Sequence, residues 1–505
     1  MANDDAKLDL TPFWRMPDLN DGPLAEHVAD ELDGSYAWVA GLGWLCNNGK
    51  VWNDASEPAV VEDVRLVLRQ MIADAIAAGA TSVQINAMSR LLGAGKIRAV
   101  AGLVKGILEL PLDAFDTALD HLNTPSGVVN LRTGKLLPHS DKFRFTKITG
   151  AAYDPDAVSD DWNAALLALP EDVVRYFQLR LGQALTGHTP PDDKLIIAQG
   201  AGENGKSVQF DAIRAAVGGF AGLIPERVLM ANPGDHPTEM TMLRGLRLAV
   251  LEELPEGARF NIKRLKDTVG TSTMTARKIA KDNITWESTH SLFVTTNYRP
   301  RINETDNGTW RRLELIRFPY TFRRPGLRLR AATDRRGDPH LRERLRREPQ
   351  PAVLAWLVAG AVAWYKRDRT MPPPPNRVAR DTLTWRKETD HILGFLSEEL
   401  VFAPNRFVLA SDLYTRFSSW LEAGGHKEWS SQTFGSRFSE HTDVTANAVR
   451  KTRKRIGSVD LSRPGSGTTA GPRVVAAPLA DGSYVHLYQG LAWRDNSPEP
   501  EDPDA

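Results

Sequence analysis

Gly200-Ala201-Gly202-Glu203-Asn204-Gly205-Lys206-Ser207 is the stretch whose residue types and spacing point most directly to chemistry. Glycine, four residues, then Gly-Lys-Ser is a pattern for holding a polyphosphate. Glycines let backbone N–H groups close around phosphate oxygens, and a helix starting there adds a favourable dipole. Gly200, Gly202, Glu203, Asn204 and Gly205 would form the cradle. Lys206 would reach the β- and γ-phosphates, and Ser207 would hold Mg²⁺, so the motif calls for ATP and Mg²⁺ as cofactors.

Further along the chain are the other groups such chemistry needs. Glu252-Glu253 ends the apolar run Arg247 to Leu251, about 45 residues after the loop. Glu252 would support the metal, directly or through water, and Glu253 would orient and deprotonate an attacking water. Asn297 ends a third apolar run, Ser291 to Thr296, where an amide can position water and sense hydrolysis. Arg311 and Arg312 precede the run Leu313 to Phe318. Either could stabilise charge on a transferring phosphoryl group, and a finger given to a neighbouring subunit implies a ring. Between the second and third runs, Lys263 to Trp286 is locally basic and includes Arg277, Lys278 and Lys281. Such a segment is either a solvated face or a hairpin whose lysines meet nucleic-acid phosphates.

These groups need a scaffold. Lys194 to Ala198 reads as a buried strand before the loop, and Val208 to Ala216 has helical spacing after it. The strand ending in Glu252-Glu253 is expected beside the loop-bearing strand. Residues 1–125 read as a mostly helical domain, with a small sheet or hairpin near Trp38, Trp44 and Trp52. Residues 126–190 read as a strand-and-helix collar, with a turn at Thr133-Gly134 and another at Asp154 to Asp156. Residues 191–325 form the α/β core. Residues 326–380 comprise an arginine-rich loop and helix facing solvent, the helix Pro351 to Arg367, and the proline run 372–375, a stiff linker. Residues 381–494 read as helix, helix, basic hairpin and strand, a winged-helix-like module. In it, Arg450, Lys451, Arg453 and Lys454 would contact DNA phosphates. The acidic, proline-rich tail 495–505 reads as disordered.

The whole chain sets bounds. Its 505 residues allow two to four domains. Lys+Arg and Asp+Glu are 63 each, so any nucleic-acid surface must be local. Cys46 is the single cysteine, which excludes an intramolecular disulfide framework and suits a reducing cytoplasm. No apolar run is long enough to span a bilayer and no secretory signal is evident, so a cytoplasmic protein is expected.

In this order the motifs resemble the superfamily 3 helicases, and more closely the phage and plasmid primase-helicase group related to satellite-phage and poxvirus enzymes. The ordered set is the loop, Glu252-Glu253, Leu265-Lys266 with Ala276-Arg277, Thr296-Asn297 with Arg299-Pro300, and Trp310-Arg311-Arg312. Upstream, the segment from Val128 through the Tyr153 turn resembles the family's collar. Downstream, Trp385 to Asp390 resembles the opening of its C-terminal domain. The resemblance implies a P-loop NTPase (AAA+-like) core and an ATP- and Mg²⁺-dependent DNA motor. It implies a hexameric ring tracking single-stranded DNA 3′ to 5′, acting on forked DNA in a host cytoplasm. Lys278 and Lys281 would then belong to the loop that grips DNA. Gly270-Thr271-Ser272 departs from the family's Gly-Gly-Asp. The first 125 residues lack a convincing primase metal cluster, so priming would fall to a separate primase or polymerase. An ATP-switched initiator or loader without processive unwinding remains an alternative, as does a small-molecule kinase.

Overall fold

The computed structural model describes residues 19–230, 237–277, 283–302, 307–463 and 482–494. Lys278, Lys281 and the tail 495–505 therefore lie outside the described residues.

The N-terminal region is helical around one small sheet. Helix α1 (Asp21–Leu32) precedes the antiparallel strands β1 (Tyr36–Val39), β2 (Gly43–Asn47) and β3 (Trp52–Asp54). Then come α2 (Glu57–Ala77), α3 (Ser82–Ser89) and α4 (Ala94–Ile107). The sequence supplies the helix starts. Ser56 accepts a bond from Ala59 N, and Thr81 and Gln84 form a reciprocal capping box. Val60, Val64, Leu68 and Met71 of α2 meet Leu24 and Val28 of α1 and Val100 and Val104 of α4. Burying that stripe, rather than helix propensity alone, holds the helices together. Trp44 and Trp52 are core residues, and Trp38 lies half-buried under Lys105 Nζ at 3.7 Å.

The antiparallel meander β4 (His121–Thr124), β5 (Gly127–Asn130) and β6 (Lys135–Leu137) follows, with Thr133-Gly134 turning the chain between its last two strands. Asp154 and Asp156 form a turn in which Asp156 N donates to Asp154 Oδ1 at 3.1 Å. Helices α5 (Asp160–Leu166) and α6 (Glu171–Leu185) lead into the α/β core.

That core comprises β7 (Leu195–Gln199), α7 (Lys206–Val217), β8 (Ala221–Leu223), α8 (Arg227–Met230) and β9 (Leu248–Glu252). It continues with α9 (Ile262–Val269), the hairpin β10 (Thr273–Ala276) and β11 (Ile284–Glu287), β12 (Ser291–Thr296), α10 (Asn307–Trp310) and β13 (Leu313–Arg317). Five parallel strands form one sheet in the order β13-β7-β12-β9-β8. The acid-bearing strand β9 is thus not beside β7, contrary to the sequence expectation, because β12 lies between them. Parallel strands are joined by crossovers, so chain order does not set sheet order. β12, buried at all six positions, takes the place flanked on both edges and both faces.

Alternation along each strand divides the core in two. Ile196, Ala198, Val250, Phe293 and Ile316 face Phe177, Phe210 and Leu357. Leu195, Ile197, Leu251, Leu292 and Leu315 face Leu229, Leu265, Trp286 and Trp385.

After the sheet come β14 (Thr321–Arg323), β15 (Asp334–Arg336), α11 (Leu341–Arg347) and α12 (Pro351–Tyr365). The arginine-rich stretch is exposed but tied down. Arg342 Nε is 2.8 Å from Asp211, and Arg344 binds both Asp161 and Asp338.

Helix α13 (Asn376–Thr389) follows the prolines and packs on the core. Leu315 N donates to Thr382 Oγ1 at 2.9 Å, and Trp385 Nε1 to Pro300 O at 3.1 Å. Residue 381, where the sequence places a module boundary, lies inside this helix. Then come α14 (His391–Glu399), β16 (Leu400–Leu409), α15 (Ala410–Ala423), α16 (Ser431–Glu440), α17 (Thr442–Ala446), β17 (Arg450–Arg455), β18 (Leu461–Ser462) and β19 (Tyr484–Trp493). Their four-stranded sheet runs β17-β19-β16-β18, over a core of Phe395, Phe417, Phe434, Phe438 and Trp493. Among the described residues, no helix is long and apolar enough to cross a membrane.

Candidate functional site at the C-terminal edge of the parallel sheet

The loop between β7 and α7 leaves no room for a side chain at two positions, 200 and 205. Gly205 sits at φ +80°, and a Cβ there would lie 2.8 Å from Ala168 Cβ. At Gly200 a Cβ would lie 2.0 Å from Asn204 Nδ2 and 2.9 Å from Phe318 O. Glu203 holds φ +59° without being glycine, and its carbonyl accepts from Phe322 N at 2.7 Å. A left-handed non-glycine residue persists when its surroundings over-determine it. Asn204 is buried; its Oδ1 accepts from Lys206 N at 3.1 Å, while its Nδ2 is buried without a partner. Gly202 is open to solvent, and Ser207 is exposed on the first turn of α7.

All five strands point the same way, so the loop after β7, the acids ending β9 and Asn297 after β12 meet at one edge. Lys206, only 7% exposed, places Nζ 3.2 Å from Asn297 Oδ1. Burial pushes its ammonium below the usual range, and the charge of Glu253 pulls the other way. Glu253 turns the chain at φ +55°, its N–H bonded to Thr295 O at 2.9 Å. Gln199 Nε2 donates to Asn297 O at 3.1 Å, joining the tips of β7 and β12.

Glu252 has a partner the sequence reading did not foresee. Arg214 Nη1, from α7, donates to its Oε1 at 2.7 Å. Arg214 also lies 3.6 Å from Asp211, which in turn binds Arg342. The pair spans 38 residues, and no local sequence signal could have announced it. Among the described residues, no group of three or more His, Cys, Asp or Glu is arranged to hold a metal. A hydroxyl and a carboxylate, Ser207 and Glu252, are nonetheless the oxygen donors that suit Mg²⁺, which keeps several waters and takes further ligands from phosphates.

Arg311 and Arg312 lie at the opposite end of the sheet. β13 pairs with β7 in the register Leu313↔Leu195, so both arginines sit beside the start of β7. A five-residue strand at about 3.3 Å per residue puts them roughly 16 Å from the loop end. The two differ. The Arg311 side chain is 56% exposed, with Nη2 3.6 Å from Asp193. The Arg312 side chain is 14% exposed; it donates to Gly308 O at 2.7 Å and lies 3.5 Å from Asp193.

Of the basic residues, Arg277 is exposed just after β10. In the C-terminal sheet, β17 is, among the described residues, an edge strand paired only with β19. It exposes Arg450, Lys451 and Arg453, with Lys454 half-buried. Lys451 lies over Tyr488, Arg453 over Tyr484 and Lys454 over Phe407, at 5.8, 5.9 and 4.9 Å. The loop set and the β17 set thus lie in different bodies of the fold.

Comparison with known proteins adds the following. Residues 25–168 match the family described as D5 N terminal like, and residues 387–464 match the family described as Poxvirus D5 protein-like. The chain is 29% identical over 265 residues to a protein of Frog virus 3 (isolate Goorha) provisionally named helicase 022R, covering 50% of this chain and 27% of that one. It is 24% identical over 335 residues to a protein of African swine fever virus (strain Badajoz 1971 Vero-adapted) provisionally named primase C962R, covering 62% and 34%. A protein of Invertebrate iridescent virus 6 provisionally named helicase 184R is 32% identical over 161 residues, 30% of this chain and 16% of that one. The chain spans about a third or less of the length of these curated relatives. Among solved structures, the apo NrS-1 C terminal region aligns over 69% of this chain and 80% of that one, at 10% identity and a TM-score of 0.38.

Proposed function

From the premise that this chain belongs to the D5-type primase-helicase group, whose two families occupy its two ends, we propose that it is an ATP-dependent DNA helicase of replication. In this reading it is a superfamily 3 motor with a P-loop NTPase core, works as a homohexameric ring, and tracks single-stranded DNA 3′ to 5′ into forked DNA. The observation that carries the reading is the meeting of Lys206, Asn297, Glu253 and Glu252 at one edge of the parallel sheet.

Roles follow from positions. Backbone N–H groups of residues 200–205 and the start of α7 cradle the polyphosphate. Ser207 and Glu252 would hold Mg²⁺, which supplies charge neutralisation at the β- and γ-phosphates. Lys206 is held by Asn297 at the place where the γ-phosphate arrives. Asn297 is released to sense that phosphate as Lys206 turns to it. Glu253 takes the proton of the attacking water.

The arginines argue for a ring. At roughly 16 Å from the loop of their own chain they cannot serve it, but a neighbour's loop can be brought to them. Arg311 is the finger, because it is exposed, while Arg312 is engaged with Gly308. Arg277, with Lys278 and Lys281, grips the strand in the channel. The basic edge of β17, in a winged-helix-like module, meets DNA outside it. That module also suits the second reading, an ATP-switched initiator or loader.

Subunit mixing tests the shared site. Lys206→Ala chains mixed with Arg311→Ala chains should regain ATPase activity, since some boundaries then hold an intact loop and an intact finger. No recovery at any mixing ratio would exclude Arg311 as a finger in trans.

A further inference from the structure

A cleft of about 620 Å³ lies between the small N-terminal sheet and the α/β core. Trp38, Leu42 and Trp52 line it from the N-terminal sheet. Lys147, which follows the meander, and Arg244, which precedes β9, line it as well. The two bodies touch where β11 begins. Gly41, at φ +84° in the turn between β1 and β2, has no room for a Cβ, which would lie 2.8 Å from Ile284 Cγ2. We propose that this cleft is a second nucleotide site, which binds a nucleoside phosphate with the phosphate at Arg244 and Lys147 and the base against Trp38 and Trp52. It uses no residue of the loop at Lys206, so its failure would leave the proposed motor untouched.

The charges carry the inference furthest. Arg244 Nε is buried without a partner, and neither Arg244 nor Lys147 has a side-chain hydrogen bond or ion pair among the described residues. Burial pushes the Arg244 guanidinium below its usual range, while the charges of Asp116 and Asp54 pull the other way. Asp116 is already engaged: its carboxylate accepts from Thr146 N at 2.7 Å and from Thr146 Oγ1 at 2.5 Å. Asp54, the acid that lines the cleft, is exposed to solvent. The two cations meet on one stretch of wall, since a Cβ on Gly245 would lie 3.4 Å from Lys147 Cε. A half-buried guanidinium with no counter-ion is costly, and a phosphate matches its planar fork of donors. Arg244 also lines a second cavity, of about 590 Å³, but Asp113, Asp116 and Glu287 make that one acidic. An anion therefore belongs on the Lys147 side.

Size and lining supply the rest. About 620 Å³ falls within the roughly 300–1,000 Å³ of small-molecule pockets, which favour the junctions between domains. Two tryptophans with Leu42 and Leu45 offer an apolar wall suited to a flat aromatic base. Asn53 and Thr241 add polar groups able to bond a base edge or a sugar hydroxyl. An aromatic group and a phosphate in one ligand describe a nucleotide, either free or within a single strand.

Photocrosslinking of the full chain tests the site with two probes. One is 5-iodo-2′-deoxyuridine 5′-monophosphate; the other is an oligothymidylate carrying one 5-iododeoxyuridine. Each is irradiated with wild type, Arg244→Gln and Lys147→Gln, and the crosslinked residue is mapped by mass spectrometry. Thermal unfolding establishes that each variant is folded, and either one alone suffices. The expected result is a crosslink at Trp38 or Trp52, with the half-saturating probe concentration raised about tenfold or more when either cation is removed. Crosslinking by the mononucleotide identifies a free nucleotide as the ligand, and crosslinking by the oligonucleotide alone identifies a single strand. No crosslink, crosslinks confined to other residues, or crosslinks at the two tryptophans that neither substitution weakens would overturn the site.

Discussion

His290 makes the α/β core sensitive to acid. It is 3% exposed and immediately precedes β12, the strand that delivers Asn297. Its Nε2 lies 3.1 Å from Thr268 O at the end of α9, and its Nδ1 is buried without a partner. The neutral ring satisfies this site by donating from Nε2. Protonation would add a buried N–H at Nδ1 with no acceptor. Burial accordingly lowers the pKa to about 4, against a weaker opposing effect of the Thr268 carbonyl. The sign follows from the protons bound. Between the unfolded value near 6.5 and the folded value near 4, the unfolded chain holds a proton that the folded chain does not. Stability is therefore fully present above about pH 6.5 and is lost as pH falls towards 4. About 2.5 pH units at 1.36 kcal/mol each amount to about 3 kcal/mol, of which about 2 kcal/mol is lost by pH 5. The assay is urea unfolding at about pH 7.5 and about pH 5, followed through core tryptophan fluorescence, for wild type and His290→Gln. The variant should be less stable at neutral pH but should lose about 2 kcal/mol less than wild type on acidification. An equal pH-dependent loss in both proteins would refute the assignment to His290.

The two adjacent arginines should separate by stability. Arg312→Ala breaks the bond to Gly308 O and should cost about 1–2 kcal/mol, seen as a lower thermal midpoint, while Arg311→Ala should stay within about 0.5 kcal/mol of wild type. Equal destabilisation by both would contradict the division of roles. On β17, replacing Lys451 and Arg453 together by serine should lower the slope of log binding constant against log salt by about 1.4 on single-stranded DNA, at about 0.7 per phosphate contact. An unchanged slope would remove this edge from the DNA surface.

How much of this was legible in the sequence depends on range. The strand, loop and helix around Lys206 could be read because every requirement falls within a short run: an apolar strand, glycines at fixed offsets, then helical spacing. Ser430, the cap of α16, accepts from Thr433 N at 3.1 Å, a partner three residues away, so that signal too is local. The place of β12 between β7 and β9 was not, because parallel strands carry no record of their neighbours in the chain that links them. The Arg214–Glu252 pair was hidden by its separation. The tethering of the arginine-rich segment was hidden by its composition, since arginines that bind Asp161 and Asp211 look in sequence like any solvated basic run. The prolines 372–375 stop a helix, but they do not say which body the next helix packs on; Trp385, 1% exposed against the core, decides that. Arg311 and Arg312 could be picked out as a pair, but only their exposure and the Gly308 carbonyl tell them apart.

The central claim is that the loop at Lys206 drives strand separation. Its most direct test is ATP hydrolysis with and without single-stranded DNA, together with unwinding of a forked duplex, for wild type and Lys206→Ala. The account predicts hydrolysis that DNA stimulates, unwinding that depends on ATP and Mg²⁺, and loss of both in the variant. Hydrolysis indifferent to DNA, or unwinding that survives Lys206→Ala, would contradict it.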